Sequence, residues 1–295
     1  VTGATGFVGR RLVRALEAPA VLSRDAERAR RALGPAVRAF AWDPDAGPPP
    51  AAAFEGIEAV FHLAGEPVAR RWTRAVKDRI RDSRVGGTRN LVAALEALKA
   101  RPRVLVAGSA VGWYGDRGDE LLDESSSPGD DFLARLCREW EAESSRAEGL
   151  GVRAVVVRTG IVLGRDGGAL ARMLPPFRMG AGGRLGGGRQ WMSWIHLDDL
   201  AGLMLHAART EALRGPVNGT APAPVTNAEF TRILAGVLRR PAFFPVPPPV
   251  LRLAFGEGAS VLLSSQRALP RAAERSGYAF RHTALDPALR EILGR

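Results

Sequence analysis

The chain has 295 residues, which allows one large domain or two smaller ones around a substantial core. Its 46% apolar content suits an ordinary globule, and no apolar run approaches the roughly 18 residues that a membrane span needs. The net charge of +11 rests on scattered arginines, with Lys77 and Lys99 as the only lysines. No continuous nucleic-acid surface is therefore expected, and anionic small molecules are the favoured partners. A lone Cys137 excludes an internal disulfide, zinc-ligand spacing is absent and no signal peptide is visible. These features lead us to expect a cytoplasmic protein without a bound metal.

The opening stretch, Val1-Thr2-Gly3-Ala4-Thr5-Gly6-Phe7-Val8-Gly9, places glycines at 3, 6 and 9 ahead of an apolar helical pattern through Leu12, Val13 and Leu16. In a strand–turn–helix, one glycine makes the tight turn, one admits a pyrophosphate to the backbone and one lets helix pack on strand. The phosphates then meet the free N–H groups and partial positive charge of the helix start. Almost no strand precedes Gly3, so residues ahead of Val1 are expected in the natural protein.

Ala20–Ser23 reads as a second strand, with Arg24 directly after it, 21 residues past Gly3. An acid at about this distance binds the ribose hydroxyls of NAD, whereas an Arg suits the extra phosphate of NADP. Arg24 favours NADP, and the adjacent Asp25 keeps NAD open. A charged helix over 25–33 and a third strand over 37–41 come next. The buried strand Ala59–Leu63 follows and runs into Ala64-Gly65, where small residues let a cofactor lie on backbone. His62, inside that apolar run, reads as a hydrogen-bonded core residue.

A long helix is expected from Arg74 to Leu98, with Val76, Ile80, Leu91, Leu95 and Leu98 as its buried stripe. Ser83, Gly86, Gly87 and Thr88 should bend it or bring it close to another backbone. A strand over 103–107 leads into Gly108-Ser109-Ala110-Val111-Gly112-Trp113-Tyr114-Gly115, which puts hydroxyls where α/β sheets place their chemistry. Asp130 and Asp131 cap a helix reaching about Glu148, and 154–157 is the next strand. The stretch from Gly164 to Gly188, with Arg172, Arg178 and Arg184, suits a mobile flap over an anionic ligand. Residues 191–200 run from strand into helix, with Asp198 as its cap and His196 as a packing residue. A short strand at 216–218, a helix from Asn227 to Leu238 and short helices to Arg295 complete an α/β pattern.

The assembled string resembles an extended short-chain dehydrogenase/reductase. The motifs Thr2–Gly9, His62-Leu63-Ala64-Gly65, Gly87-Thr88-Arg89-Asn90-Leu91, Ser109 to Gly115, Arg158-Thr159-Gly160 and Ile195-His196-Leu197-Asp198-Asp199-Leu200 occur in that family's order. Gly65-Glu66-Pro67, Arg71-Trp72-Thr73, Trp140-Glu141 and Gln190 to His196 are similar to the epimerase-like subgroup of nucleoside-diphosphate-sugar epimerase or cell-division-inhibitor-like proteins. The resemblance implies a doubly wound parallel sheet holding NADP over residues 1–160, with 190–220 returning to it. It also implies a smaller, mainly substrate-side lobe over 161–295. The expected assembly is a monomer or homodimer that takes a small-molecule substrate.

One departure bears on chemistry. Family enzymes place a Tyr and, four residues later, a Lys on the helix that here follows Asp130. A phenol with a pKa of about 10 needs a neighbouring ammonium to serve as base at neutral pH. Aligned on Glu141, the two positions read Leu133 and Cys137, and no Tyr-x-x-x-Lys occurs anywhere in the chain. Ser109, Tyr114 and Cys137 are then the candidate catalytic residues, with Lys77 able to assist. Gly3, Thr5, Gly6, Phe7, Val8, Gly9, Arg24, Leu63, Ala64, Gly65, Ser109, Arg158, Thr159, Gly160 and Ile161 are the expected cofactor-binding residues. Glu66, Arg184, Gln190 and Trp194 are the expected substrate residues. Two functions stay open: an NADP-dependent oxidoreductase or epimerase acting on a nucleotide-sugar-like or other small carbonyl or hydroxyl substrate, and a catalytically silent NADP(H)-binding regulator.

Overall fold

The computed structural model describes residues 1–295. Six strands run parallel: Ala20–Ser23, Arg38–Ala41, Ala59–His62, Val104–Ala110, Arg153–Thr159 and Gly215–Gly219. Thr2 bridges Leu22 on one side and His62 on the other, so the chain's first residues join the two halves into one sheet. Numbered along the chain with Thr2 as the first, the spatial order is 3-2-1-4-5-6-7. The order reverses between Thr2 and His62, and in such a sheet the crevice at the strands' carboxyl ends receives ligands. No helix is long and apolar enough to cross a membrane.

Strand alternation sends side chains to both faces, and helices cover each. Phe61, Val104, Val106, Val155 and Val157 pack under Leu200, Leu203 and Met204 of the helix Leu197–Arg209. On the other face Val60, Leu105 and Ala107 meet Leu91 and Leu95 of the helix Arg74–Ala97. That helix runs unbroken through Gly86 and Gly87. At Gly87 a Cβ would lie 3.0 Å from the Pro44 side chain, so the small residue serves close approach rather than a bend.

Two expectations need correction. The glycine-rich stretch after Gly164 contains the helix Gly168–Arg178. Its Leu170, Leu174 and Phe177 enter a second core with Trp194, Phe230, Leu234 and Leu289. Apolar residues at helical spacing outweigh the flanking glycines, so Gly168–Arg178 is a helix packed on a second lobe's core rather than a segment of a flap. The cap of the helix Leu197–Arg209 is His196, whose Nδ1 accepts from the Asp198 backbone N–H at 3.1 Å. The Asp198 carboxylate instead pairs with Arg11.

Sheet and helix are locked together by a buried ion pair. Arg158, at the end of its strand, donates Nε and Nη2 to the two carboxylate oxygens of Glu141 at 3.0 and 2.9 Å. Its guanidinium stacks 3.8 Å from the Trp113 ring centre, and Ser109 Oγ donates to Glu141 Oε1 at 2.6 Å. Removing one partner of such a pair strands a buried charge. Arg158→Met is therefore expected to lose about 3–5 kcal/mol of stability in urea unfolding; an unchanged midpoint would contradict the clamp.

The Thr2 hydroxyl accepts from Leu63 N and Ala64 N, each at 3.0 Å, and lies 2.8 Å from His62 Nδ1. With both lone pairs engaged it donates to Nδ1, so His62 carries its proton on Nε2 and donates to Thr88 Oγ1 at 3.0 Å. Burial pushes His62 from an ordinary 6.5 down to about 4, with Arg84 adding a smaller effect. The folded pKa is depressed, so this contribution is whole above about 6.5 and is lost as pH falls toward 4. The expected loss is about 3 kcal/mol across that window, because only the unfolded chain takes up the proton. Urea unfolding of wild type and His62→Gln across this range checks it, and the variant's slope should be shallower.

Candidate functional site

At the switch point a groove of about 730 Å³ is lined by the Gly3–Gly6 turn, by Leu22, Ser23 and Arg24, and by Leu63 to Glu66. Gly3 has φ +63°, and a Cβ on it would sit 2.7 Å from the Leu63 backbone. A Cβ on Gly9 would sit 2.2 Å from Gly3 O. Both positions exclude side chains, so the turn lies directly on the neighbouring strand end and opens its backbone to the groove. Arg24 lines the groove, whereas Asp25 does not and spends its carboxylate accepting from Arg28 N at 2.8 Å as a helix cap. Phe7 and Val8 face elsewhere: the Phe7 ring packs on Gly164, Gly167 and Gly168, and Val8 joins the core.

A second cavity, of about 320 Å³, is lined by Ser109, Cys137, Thr159, Gly160, Ile161 and Gln190 among mostly apolar neighbours. Leu133 and Cys137, where the resemblance puts Tyr and Lys, both line it, so this wall has neither phenol nor ammonium. Its acid–base side chains are Arg84, Asp131 and Cys137. Asp131 is a helix cap, accepting from Ala134 N at 2.8 Å. Burial, reinforced by the charge of Glu141, pushes the Cys137 thiol up to about 12, which leaves it protonated at neutral pH.

Other expected site residues lie away from this cavity. Tyr114 is fully buried, donates to Asn218 Oδ1 at 2.7 Å and accepts from Arg158 Nη1 at 3.3 Å. Burial holds its hydroxyl proton up to about 12. Trp194 is enclosed in the second core with its indole N–H on Ala223 O, so its side chain is spent on packing. Arg184 opens onto a separate hollow shared with Arg232, Arg239 and Arg240. Glu66 faces the first groove beside a 3.4 Å contact to Arg70.

His196, His282 and Glu291 bring three ligand-type atoms within 4.8 Å of one another. His196 Nδ1 already accepts a backbone proton, which leaves the imidazole proton on Nε2, where a metal would have to bind. The trio is thus a hydrogen-bonded cluster rather than a ready metal centre.

Sequence reading missed Arg84. It follows Ile80 by one helical step on the buried stripe of the helix Arg74–Ala97. A charge on an apolar stripe was the available signal.

The NAD dependent epimerase/dehydratase family model matches residues 1–218, and a domain of unknown function (DUF1731) matches 246–292. An Arabidopsis thaliana protein, the chloroplastic epimerase family protein SDR39U1 homolog, is 43% identical over 99% of this chain and 86% of its own length. Epimerase family protein YfhF of Bacillus subtilis is 36% identical over 99% of this chain and 97% of its own. The crystal structure of human epimerase family protein SDR39U1 (isoform 2) with NADPH superposes with a TM-score of 0.89 at 36% identity. That match covers 100% of this chain and 98% of the human one. The chain belongs to the NAD dependent epimerase/dehydratase family.

Proposed function

We propose that the protein binds NADP(H) in the switch-point groove and is an oxidoreductase or epimerase acting on a small carbonyl or hydroxyl compound, such as a nucleotide sugar. The observation that carries this reading is the groove itself. Its glycine turn, Arg24 and the Leu63–Gly65 backbone face one space, while Asp25 is withdrawn into a helix cap. The human relative's structure with NADPH supports the choice of the phosphorylated cofactor.

In this reading Gly3 to Gly6 hold the diphosphate and Arg24 the 2′-phosphate, while Leu63 to Gly65 support the sugar side. Thr159 to Ile161 line the cavity that takes the nicotinamide end. A bound nicotinamide supplies hydride exchange, and the protein must then handle a proton. Of the hydroxyls on that cavity, Ser109 is the one bonded to a buried carboxylate. Its donation to Glu141 at 2.6 Å fixes the Oγ and gives its proton an acceptor. A second reading, cofactor binding without turnover, is favoured by the high pKa of Cys137 and by the missing phenol–ammonium pair.

Calorimetry should give tighter binding of NADPH than NADH. Arg24→Ala is expected to weaken NADPH about 10- to 100-fold and leave NADH within about twofold, since it removes charge-assisted bonds to one phosphate. Equal loss for both cofactors would argue against a 2′-phosphate role. For turnover, NADPH absorbance is followed with a panel of carbonyl compounds and nucleotide sugars. Ser109→Ala should lower kcat by about 10²- to 10⁴-fold. Tight NADPH binding with no wild-type turnover on any of the panel establishes the silent reading instead.

A further inference from the structure

Arg84 enters the inner cavity from the helix Arg74–Ala97. Its Nη1 donates to the Glu66 and Ile80 carbonyls at 2.9 and 3.3 Å, and its guanidinium stacks 5.2 Å from the Trp140 ring centre. These contacts hold the side chain in place but bring no negative charge. Arg84 forms no ion pair, and its Nε and Nη2 donate to no protein atom. The nearby Glu66 carboxylate is turned to Arg70.

The surroundings make this cation costly. Leu133, Leu136, Trp140, Met173 and Met192 share its cavity, and the single carboxylate on the lining, Asp131, is engaged as a helix cap. A guanidinium held in a mostly apolar space with no carboxylate bonded to it, and only the Glu66 charge nearby, favours any ligand that supplies one. The guanidinium lies beside Gly65, where a Cβ would be 3.0 Å from its Cζ, so it stands at the border of the groove; the glycine turn that would hold the cofactor's diphosphate lines the groove and not the inner cavity that Arg84 lines, which makes a second anion in that cavity the apter partner.

We infer that Arg84 is the substrate-anion receptor of the inner cavity, and that the substrate is a small molecule with an apolar body and a single carboxylate-type oxyanion. Two parallel donors of the guanidinium suit a carboxylate's two oxygens. This inference rests on the reading that the cofactor occupies the neighbouring groove. It narrows the substrate class within that reading, from any small carbonyl or hydroxyl compound to an acidic one.

The test uses hexanoate and its neutral counterpart hexanamide, titrated by calorimetry into the full chain with and without saturating NADP⁺. Wild type is expected to bind hexanoate at least about tenfold more tightly than hexanamide. Arg84→Met should abolish that preference, weakening hexanoate about 10- to 100-fold while NADPH affinity stays within about twofold. Arg84→Lys, which keeps the charge but not the fork, should restore part of it. Equal binding of the two probes by wild type overturns the inference without needing any variant to fold. So does an Arg84→Met protein that loses NADPH but not hexanoate, since the receptor would then serve a cofactor phosphate. Absence of NADPH binding by wild type would instead overturn the cofactor reading, and the titration without cofactor still reads the Arg84 preference.

Discussion

The backbone of Val1 and Thr2 ties the two halves of the sheet together. Thr2 sits between the strands Ala20–Ser23 and Ala59–His62, and its side chain accepts from Leu63 and Ala64 while donating to His62. The backbone turns on both sides of the crevice are thereby fixed relative to each other. Everything in the groove depends on that registry: Gly3 can approach the Leu63 backbone only because it carries no side chain, and Gly9 brings the first helix onto the same turn. His62 must stay neutral for the arrangement to persist, and its burial keeps it so.

Beyond the crevice, the polar interior is organised by Glu141. One carboxylate accepts from both Arg158 and Ser109 and lies close enough to raise the Cys137 thiol. Arg158 passes the network on to Tyr114, and Tyr114 to Asn218 on the last strand of the sheet. Buried polar groups joined in this way satisfy one another and rigidify the ends of three strands. The same chain of bonds removes Tyr114 from the cavity, leaving Ser109 as the member of the network on its wall. The phenol and ammonium that the resemblance led us to expect are absent from this wall.

The second lobe makes its own core out of short elements. Helices Gly168–Arg178, Asn227–Leu238 and Leu285–Leu293 close over Trp194, so that cavity and lobe share the segment from Trp191 to Ser193. This coupling places Gln190 at the cavity and Trp194 inside the protein, four residues apart. A glycine-rich sequence can thus be structural: Gly160 admits the Ser193 carbonyl where a Cβ would lie 2.2 Å away.

By itself the sequence determined the order of the sheet strands and their covering helices, though not the helix Gly168–Arg178, together with the glycine turn, the parallel α/β sheet and the absence of a Tyr-x-x-x-Lys pair. These are local properties, since hydrophobic period and turn chemistry act over a few neighbouring residues. It also placed Arg24, Leu63, Ala64 and Gly65 near one another in expectation, because strand ends in such a sheet converge. Tertiary structure alone decided that the Asp198 carboxylate pairs with Arg11, and that Trp194 and Tyr114 are enclosed. It alone revealed Thr2 as a hub and Arg84 as an unpaired cation. Whether a polar side chain is a clamp or a ligand contact depends on which faces meet across tens of residues. Only the packed chain supplies that information.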